Sequence, residues 1–132
     1  MKKIFIVLIL ILISSTTIIQ ISKAMDFCTL DEVNLSDNAD FKEVRACHIL
    51  VKTKEQAAQI REEVINGRNF SAAASEYSIC PSGKEGGDLG YFSRGMMVPA
   101  FENVAFCIPI GEVSQPVETQ FGWHLILVTD RR

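Results

Sequence analysis

The 132 residues contain only two histidines. Any chemistry that needs an imidazole must therefore pass through His48 or His124. Four cysteines are present (Cys28, Cys47, Cys80 and Cys107), but no two are spaced CxxC, which excludes a paired-thiol zinc site and a dithiol redox motif. Their spacing matches no compact disulfide framework. In an exported chain an even count permits two bridges in three pairings, with free buried thiols as the equal alternative. A basic excess is also missing. Residues 1–24 carry Lys2, Lys3 and Lys23 and no acid, while the other 108 hold 10 basic and 16 acidic groups, a net of −6. A body of that sign has no electrostatic footprint for nucleic acid. No internal repeat is visible. Hydrophobic residues at 48% and charged residues at 22% exclude a disordered, collagen-like or coiled-coil chain, and the length predicts one domain.

What is present begins with an address. Lys2-Lys3 precede an unbroken apolar run from Ile4 to Ile13, and Ser22-Lys23-Ala24 follow with small residues at the −3 and −1 positions. This pattern predicts a signal peptide over residues 1–24, cleaved after Ala24. The alternative is an uncleaved anchor, because residues 4–21 are about the minimum span of a bilayer, and such an anchor would give membrane association. Residues 25–43 are polar and acidic without periodicity and read as a lead-in segment. The folded domain is expected over residues 44–132.

From Val44 the pattern sharpens. Val44, Ala46, His48 and Leu50 fall on one face of a strand, and Cys47, Ile49 and Val51 on the other, so both faces are expected to be buried. Thr53 and Gln56 read as a capping box ahead of a helix that repeats Ala57, Ile60 and Val64 and stops at Gly67. Phe70, Ala73, Ala74 and Tyr77 predict a second, shorter helix. The stretch Ser78–Gly87 is a Gly/Pro/Ser loop that a helix is not expected to cross. Asp88–Phe92 predicts a strand, Pro99 opens a third helix, and Val113–Glu118 reads as a Pro-interrupted edge strand. In the last strand, Trp123, Leu125 and Leu127 oppose His124, Ile126 and Val128. Mixed strands and helices without regular βαβ alternation predict an α+β fold with an antiparallel sheet.

Few residues offer chemistry. Each histidine sits on a strand among apolar neighbours, where a satisfied core histidine is the plain alternative to a catalytic one. Cys80, in a polar loop, is either a half-buried thiol or a functional group. A cysteine hydrolase with Cys80 as nucleophile rests on residue types alone. A metal held by Cys47, His48 and His124 fails because adjacent strand residues point to opposite faces. Leu89, Met97 and Phe101 are apolar residues beside glycines or prolines. Core is the plain expectation for them, and Met96-Met97 after Gly95 places flexible side chains on a turn that suits a pocket.

Four segments then carry a resemblance. Ala46–Val51, Ser78–Gly90, Phe92–Phe101 and Thr119–His124 resemble, in order, the first strand, central loop, turn-and-helix and final hairpin of parvulin-type peptidyl-prolyl cis/trans isomerases. The likeness spans about Val44 to Asp130. It implies a four-stranded antiparallel sheet surrounded by helices, the parvulin/FKBP-like architecture. It implies a catalytic group of His48, Cys80, Thr119 and His124, and a proline pocket of Leu89, Met97 and Phe101 with Phe121 near the rim. At the Cys80 position many members of the family carry aspartate. Only Lys52 and Lys54 stand where phosphate-directed members have a basic cluster, which argues against phosphoserine-proline specificity.

The reaction so implied breaks no covalent bond. An Xaa-Pro amide has nearly balanced cis and trans forms separated by a barrier of roughly 18–20 kcal/mol. A surface matched to the twisted amide lowers that barrier without metal or other cofactor. The expected partners are unfolded or newly exported polypeptides containing Xaa-Pro, acted on by an exported, periplasmic or extracytoplasmic monomer. A proline-segment binding module of the chaperone kind, with little catalysis, is the alternative.

Overall fold

The computed structural model describes residues 41–132. The expected signal peptide and most of the expected acidic lead-in lie outside these described residues. Four antiparallel strands form one sheet in the order β2-β1-β4-β3. They are β1 (Glu43–Val51), β2 (Asp88–Ser93), β3 (Val117–Thr119) and β4 (Gly122–Arg131). The two longest strands lie in the middle, as their apolar residues on both faces require. This is the α+β arrangement that the sequence pattern predicts.

Helices cover each face. On one side, α1 (Lys54–Ile65) and α2 (Phe70–Tyr77) bury Ala57, Ile60, Phe70, Ala73 and Ala74 against Ile49, Val51 and Leu125. Both helices start at a side-chain cap: Thr53 Oγ1 accepts from the Gln56 N–H at 3.2 Å, and Asn69 Oδ1 from the Ala72 N–H at 3.0 Å. On the other side, α3 (Pro99–Cys107) packs Phe101, Ala105 and Phe106 onto Val44, Ala46, Phe92, Ile126 and Val128. Each large apolar side chain buried in this way contributes about 1.5–3 kcal/mol.

Two sequence expectations need correction. The Ser78–Gly87 loop is crossed by a 3-10 helix, Pro81–Glu85, closed by Gly86 in a left-handed conformation. Pro81 supplies the preset φ that starts such a turn, and a turn this short tolerates the flanking glycines. The fold also begins before Val44. Phe41 stacks on Phe106 with ring centroids 5.8 Å apart. The Lys42 and Glu43 N–H groups both donate to the Arg132 carbonyl, and the Arg132 N–H donates back to Glu43. Composition alone placed these three residues in the polar lead-in.

The loop is tied to the sheet. Beyond Cys47 the edge of β1 is paired by loop backbone instead of β2. The His48 N–H donates to the Gly87 carbonyl at 2.9 Å, the Leu50 N–H to Ser78 Oγ at 3.1 Å, and the Ile79 N–H to the Leu50 carbonyl at 2.9 Å. At Gly87 (φ +82°) a Cβ would stand 2.2 Å from the His48 carbonyl oxygen. Only glycine lets the loop lie this close to the strand.

Candidate active site

The register of β1 and β4 brings the two histidines together. His48 pairs with Ile126 and His124 with Leu50, so the histidines are diagonal neighbours on the α3 face of the sheet. Their rings stack at 5.3 Å, and His48 Nδ1 lies 3.1 Å from His124 Nδ1. Phe101, reaching down from α3, sets its ring edge-on to both, 5.9 Å from His48 and 5.5 Å from His124.

A single chain of hydrogen bonds runs through the pair. Ser82 Oγ donates to Cys80 Sγ at 3.3 Å and lies 2.9 Å from His48 Nε2; Thr119 Oγ1 lies 2.7 Å from His124 Nε2 and accepts from the Phe121 N–H at 3.2 Å. With the Ser82 proton directed to sulfur, the other protons follow from donor arithmetic. His48 Nε2–H donates to Ser82, His124 Nδ1–H donates to His48 Nδ1, and the Thr119 hydroxyl donates to His124 Nε2. Both rings are neutral in this arrangement. Each histidine is only 5% exposed. Burial, reinforced by the facing His124, pushes the His48 pKa down to about 4, and burial also lowers that of His124.

Leu89 and Met97 pack against the cluster that contains Phe101. Phe101 itself is 3% exposed and also packs on Phe92, at 6.1 Å, so it forms a floor and not a free-standing wall. Phe121 is 61% exposed, on the turn that bonds Thr119. All eight residues singled out from the sequence thus lie on or beside one polar chain and its apolar floor. Ser82 was passed over. Its signal was a hydroxyl two residues beyond Cys80 across a proline, which the 3-10 turn directs at an imidazole.

Cys47 packs with the cluster on the opposite side of the sheet, far from any joint ligation with His48. Cys47 and Cys80 carry free thiols, which excludes a two-bridge framework. A shallow groove of about 470 Å³ between α1 and residues 111–113 is lined by Arg61, Val64, Ile65, Gly111, Glu112, Val113 and Leu127. It contains no histidine, thiol or hydroxyl, whereas the histidine pair lies on the other face of the sheet.

The family model of the rotamases, the PPIC-type PPIase domain, matches residues 48–130, a span that opens on His48 and takes in every residue of the chain described above. This protein belongs to the PPIC-type isomerase domain family. Among relatives of the PPIC-type domain, the foldase protein PrsA of Halalkalibacterium halodurans is 50% identical over 91 residues, which are 68% of this chain and 27% of that protein. The parvulin NmPin of Nitrosopumilus maritimus has a similar structure, with a TM-score of 0.63 at 41% identity over 67% of this chain and 97% of its own. So does a chain from the pair PEB4 and periplasmic Cj1289 of Campylobacter jejuni, described as SurA-like chaperones, with a TM-score of 0.65 at 38% identity over 68% of this chain and 39% of its own. The PPIC-type domain here thus spans under a third of the PrsA relative and nearly all of NmPin.

Proposed function

We propose that the chain is a peptidyl-prolyl cis/trans isomerase acting on exported or unfolded polypeptides without a covalent intermediate or cofactor. The observation that carries this is the neutral, buried histidine pair set edge-on to Phe101 beside Met97 and Leu89. Amide resonance places charge on the carbonyl oxygen and double-bond character in C–N. An apolar floor and uncharged rings give that charge little solvation, so the planar amide is disfavoured relative to the twisted one. The proline ring rests on Phe101 between Met97 and Leu89 while the preceding carbonyl swings past the histidines. The Cys80 thiol hydrogen, at the end of the chain of donors, is the one proton left over for the substrate.

A cysteine hydrolase is disfavoured by the same geometry. The Cys80 sulfur accepts from Ser82, and Ser82 stands between it and His48 Nε2, whereas an activated thiol bonds its base directly. The chaperone reading draws support from the names of the PrsA and SurA-like relatives and from exposed apolar residues adjoining the site. Met96 next to Met97, Phe121 beside Thr119 and Ile79 before Cys80 are 66%, 61% and 54% exposed. These suit transient contact with apolar stretches of an unfolded chain. Those relatives, with the basic and apolar start of the sequence, also support an extracytoplasmic location.

A protease-coupled or NMR exchange assay on an Ala-Pro peptide tests the proposal. The purified protein is expected to accelerate isomerisation, at a rate unchanged by excess chelator. Binding of the peptide with no acceleration would leave only the chaperone function, and loss of turnover on chelation would overturn the cofactor-free mechanism.

A further inference from the structure

We infer that Glu102 is a positioning residue for the proline pocket, its carboxylate fixing the turn that presents Met97; this rests on the isomerase function proposed above. Glu102 sits in the first turn of α3, where its own N–H donates to the Val98 carbonyl at 3.0 Å. Its side chain turns back out of the helix, and Oε2 accepts from the Gly95 N–H at 2.5 Å. The side chain is 13% exposed, and its other oxygen lies 3.9 Å from Arg94 Nη1. The Arg94 guanidinium rests 4.3 Å from the Phe106 ring centroid, so the arginine closes over the carboxylate from outside.

Gly95 adopts φ +87° with open space where a Cβ would stand, so no packing on that side fixes the turn. Among the described residues, the other bonds across the turn are the Met96 N–H to the Ser93 carbonyl and the Ser93 N–H to Met96 Sδ, both 3.3 Å. The first is long and the second has a weak acceptor. A bond from a backbone N–H to a partly buried carboxylate is the strong one. Met97 and Val98 follow the turn directly and pack on the Phe101 cluster, and Phe101 precedes Glu102 in the helix. Two consecutive residues therefore supply the pocket floor and the tether of its side.

The test measures KM and kcat of the full chain on an Ala-Pro peptide for the wild type and for Glu102→Ala, Glu102→Gln and Glu102→Asp. A parallel titration measures binding of the same peptide. Glu102→Ala is expected to raise KM about tenfold with kcat within about twofold, the effect of losing one charge-assisted bond. Glu102→Gln keeps an oxygen that can accept from Gly95 and is expected to recover most of the KM, while Glu102→Asp, one methylene short, is not. An unchanged KM in Glu102→Ala, or a fall in kcat alone that tracks a lowered thermal midpoint, overturns the inference. If Glu102→Ala does not fold, a KM for Glu102→Asp better than for Glu102→Gln overturns it. A wild type that binds the peptide without turning it over would refute the isomerase function, while the shift in dissociation constant would still judge Glu102.

Discussion

Cys80 terminates a chain in which every hydroxyl and each imidazole ring has one assigned proton, so its replacement acts on groups it never touches. Aspartate offers Ser82 a stronger acceptor than sulfur and leaves the direction of the chain unchanged. Alanine offers none, and the Ser82 hydroxyl is then free to turn toward His48 Nε2, which shifts both histidine tautomers. Cys80→Asp is therefore expected to keep a substantial part of the isomerase rate and Cys80→Ala to lose most of it, compared in one assay. Equal inactivity of the two, with a covalent substrate adduct on the wild type, would identify a nucleophile and refute this account. The histidines add a pH signature. His48 titrates near 4 in the fold against 6.5 for a free imidazole, so between those values the unfolded chain binds more protons than the folded one. Stability is then complete above about pH 6.5 and is lost as the pH falls toward 4, with no further loss from this group below that. Denaturant midpoints measured from pH 8 to pH 4 are expected to hold and then decline, and a midpoint that rises on acidification would contradict the neutral pair. In Cys80→Asp the new carboxylate favours imidazolium and narrows the gap between the folded and unfolded values, so the decline should be smaller and level off at a higher pH.

Among the elements, α3 carries both support and function, and two substitutions separate them. Phe101 is 3% exposed within the larger cluster, and Phe101→Ala is expected to cost about 3–5 kcal/mol, a large part of a typical total of roughly 5–15 kcal/mol. Met97 is only partly buried, and Met97→Ala is expected to cost no more than about 2 kcal/mol while weakening peptide binding severalfold. Thermal melts paired with KM values check this, and a Met97→Ala protein that melts early with normal KM would place Met97 in the support instead. The elements were also what the sequence made easiest to read. Period-two patterns over residues 44–51 and 123–129 and the i, i+3, i+4 repeats of the helices depend on local spacing, and local spacing is present in the chain. The 3-10 turn and Ser82 were not legible, because a Gly/Pro/Ser stretch acquires its shape from the strand edge it pairs with. Phe41 was missed for a similar reason: its burial depends on Phe106, far along the chain. The site could be read only through a resemblance spread over four segments, since neither histidine alone differs from an ordinary strand residue.

For the whole molecule, location is the open expectation with the clearest test. Fractionation of the producing cell, followed by N-terminal sequencing, is expected to find the protein beyond the cytoplasmic membrane and beginning at Met25. A full-length form that resists salt extraction would instead make residues 4–21 an anchor. The backbone at Lys42 and Glu43 is hydrogen-bonded to that of Arg132, and Arg132 Nε meets Glu43 Oε2 at 2.7 Å. The backbone at residues 42–43 and that at Arg132 thus stand side by side, about 5 Å apart as paired strands do. A domain that enters and leaves through one gap can be spliced into a surface turn of a larger host without separating the host's own flanks. A module joined in this way suits either a chain of its own or a place within a longer one.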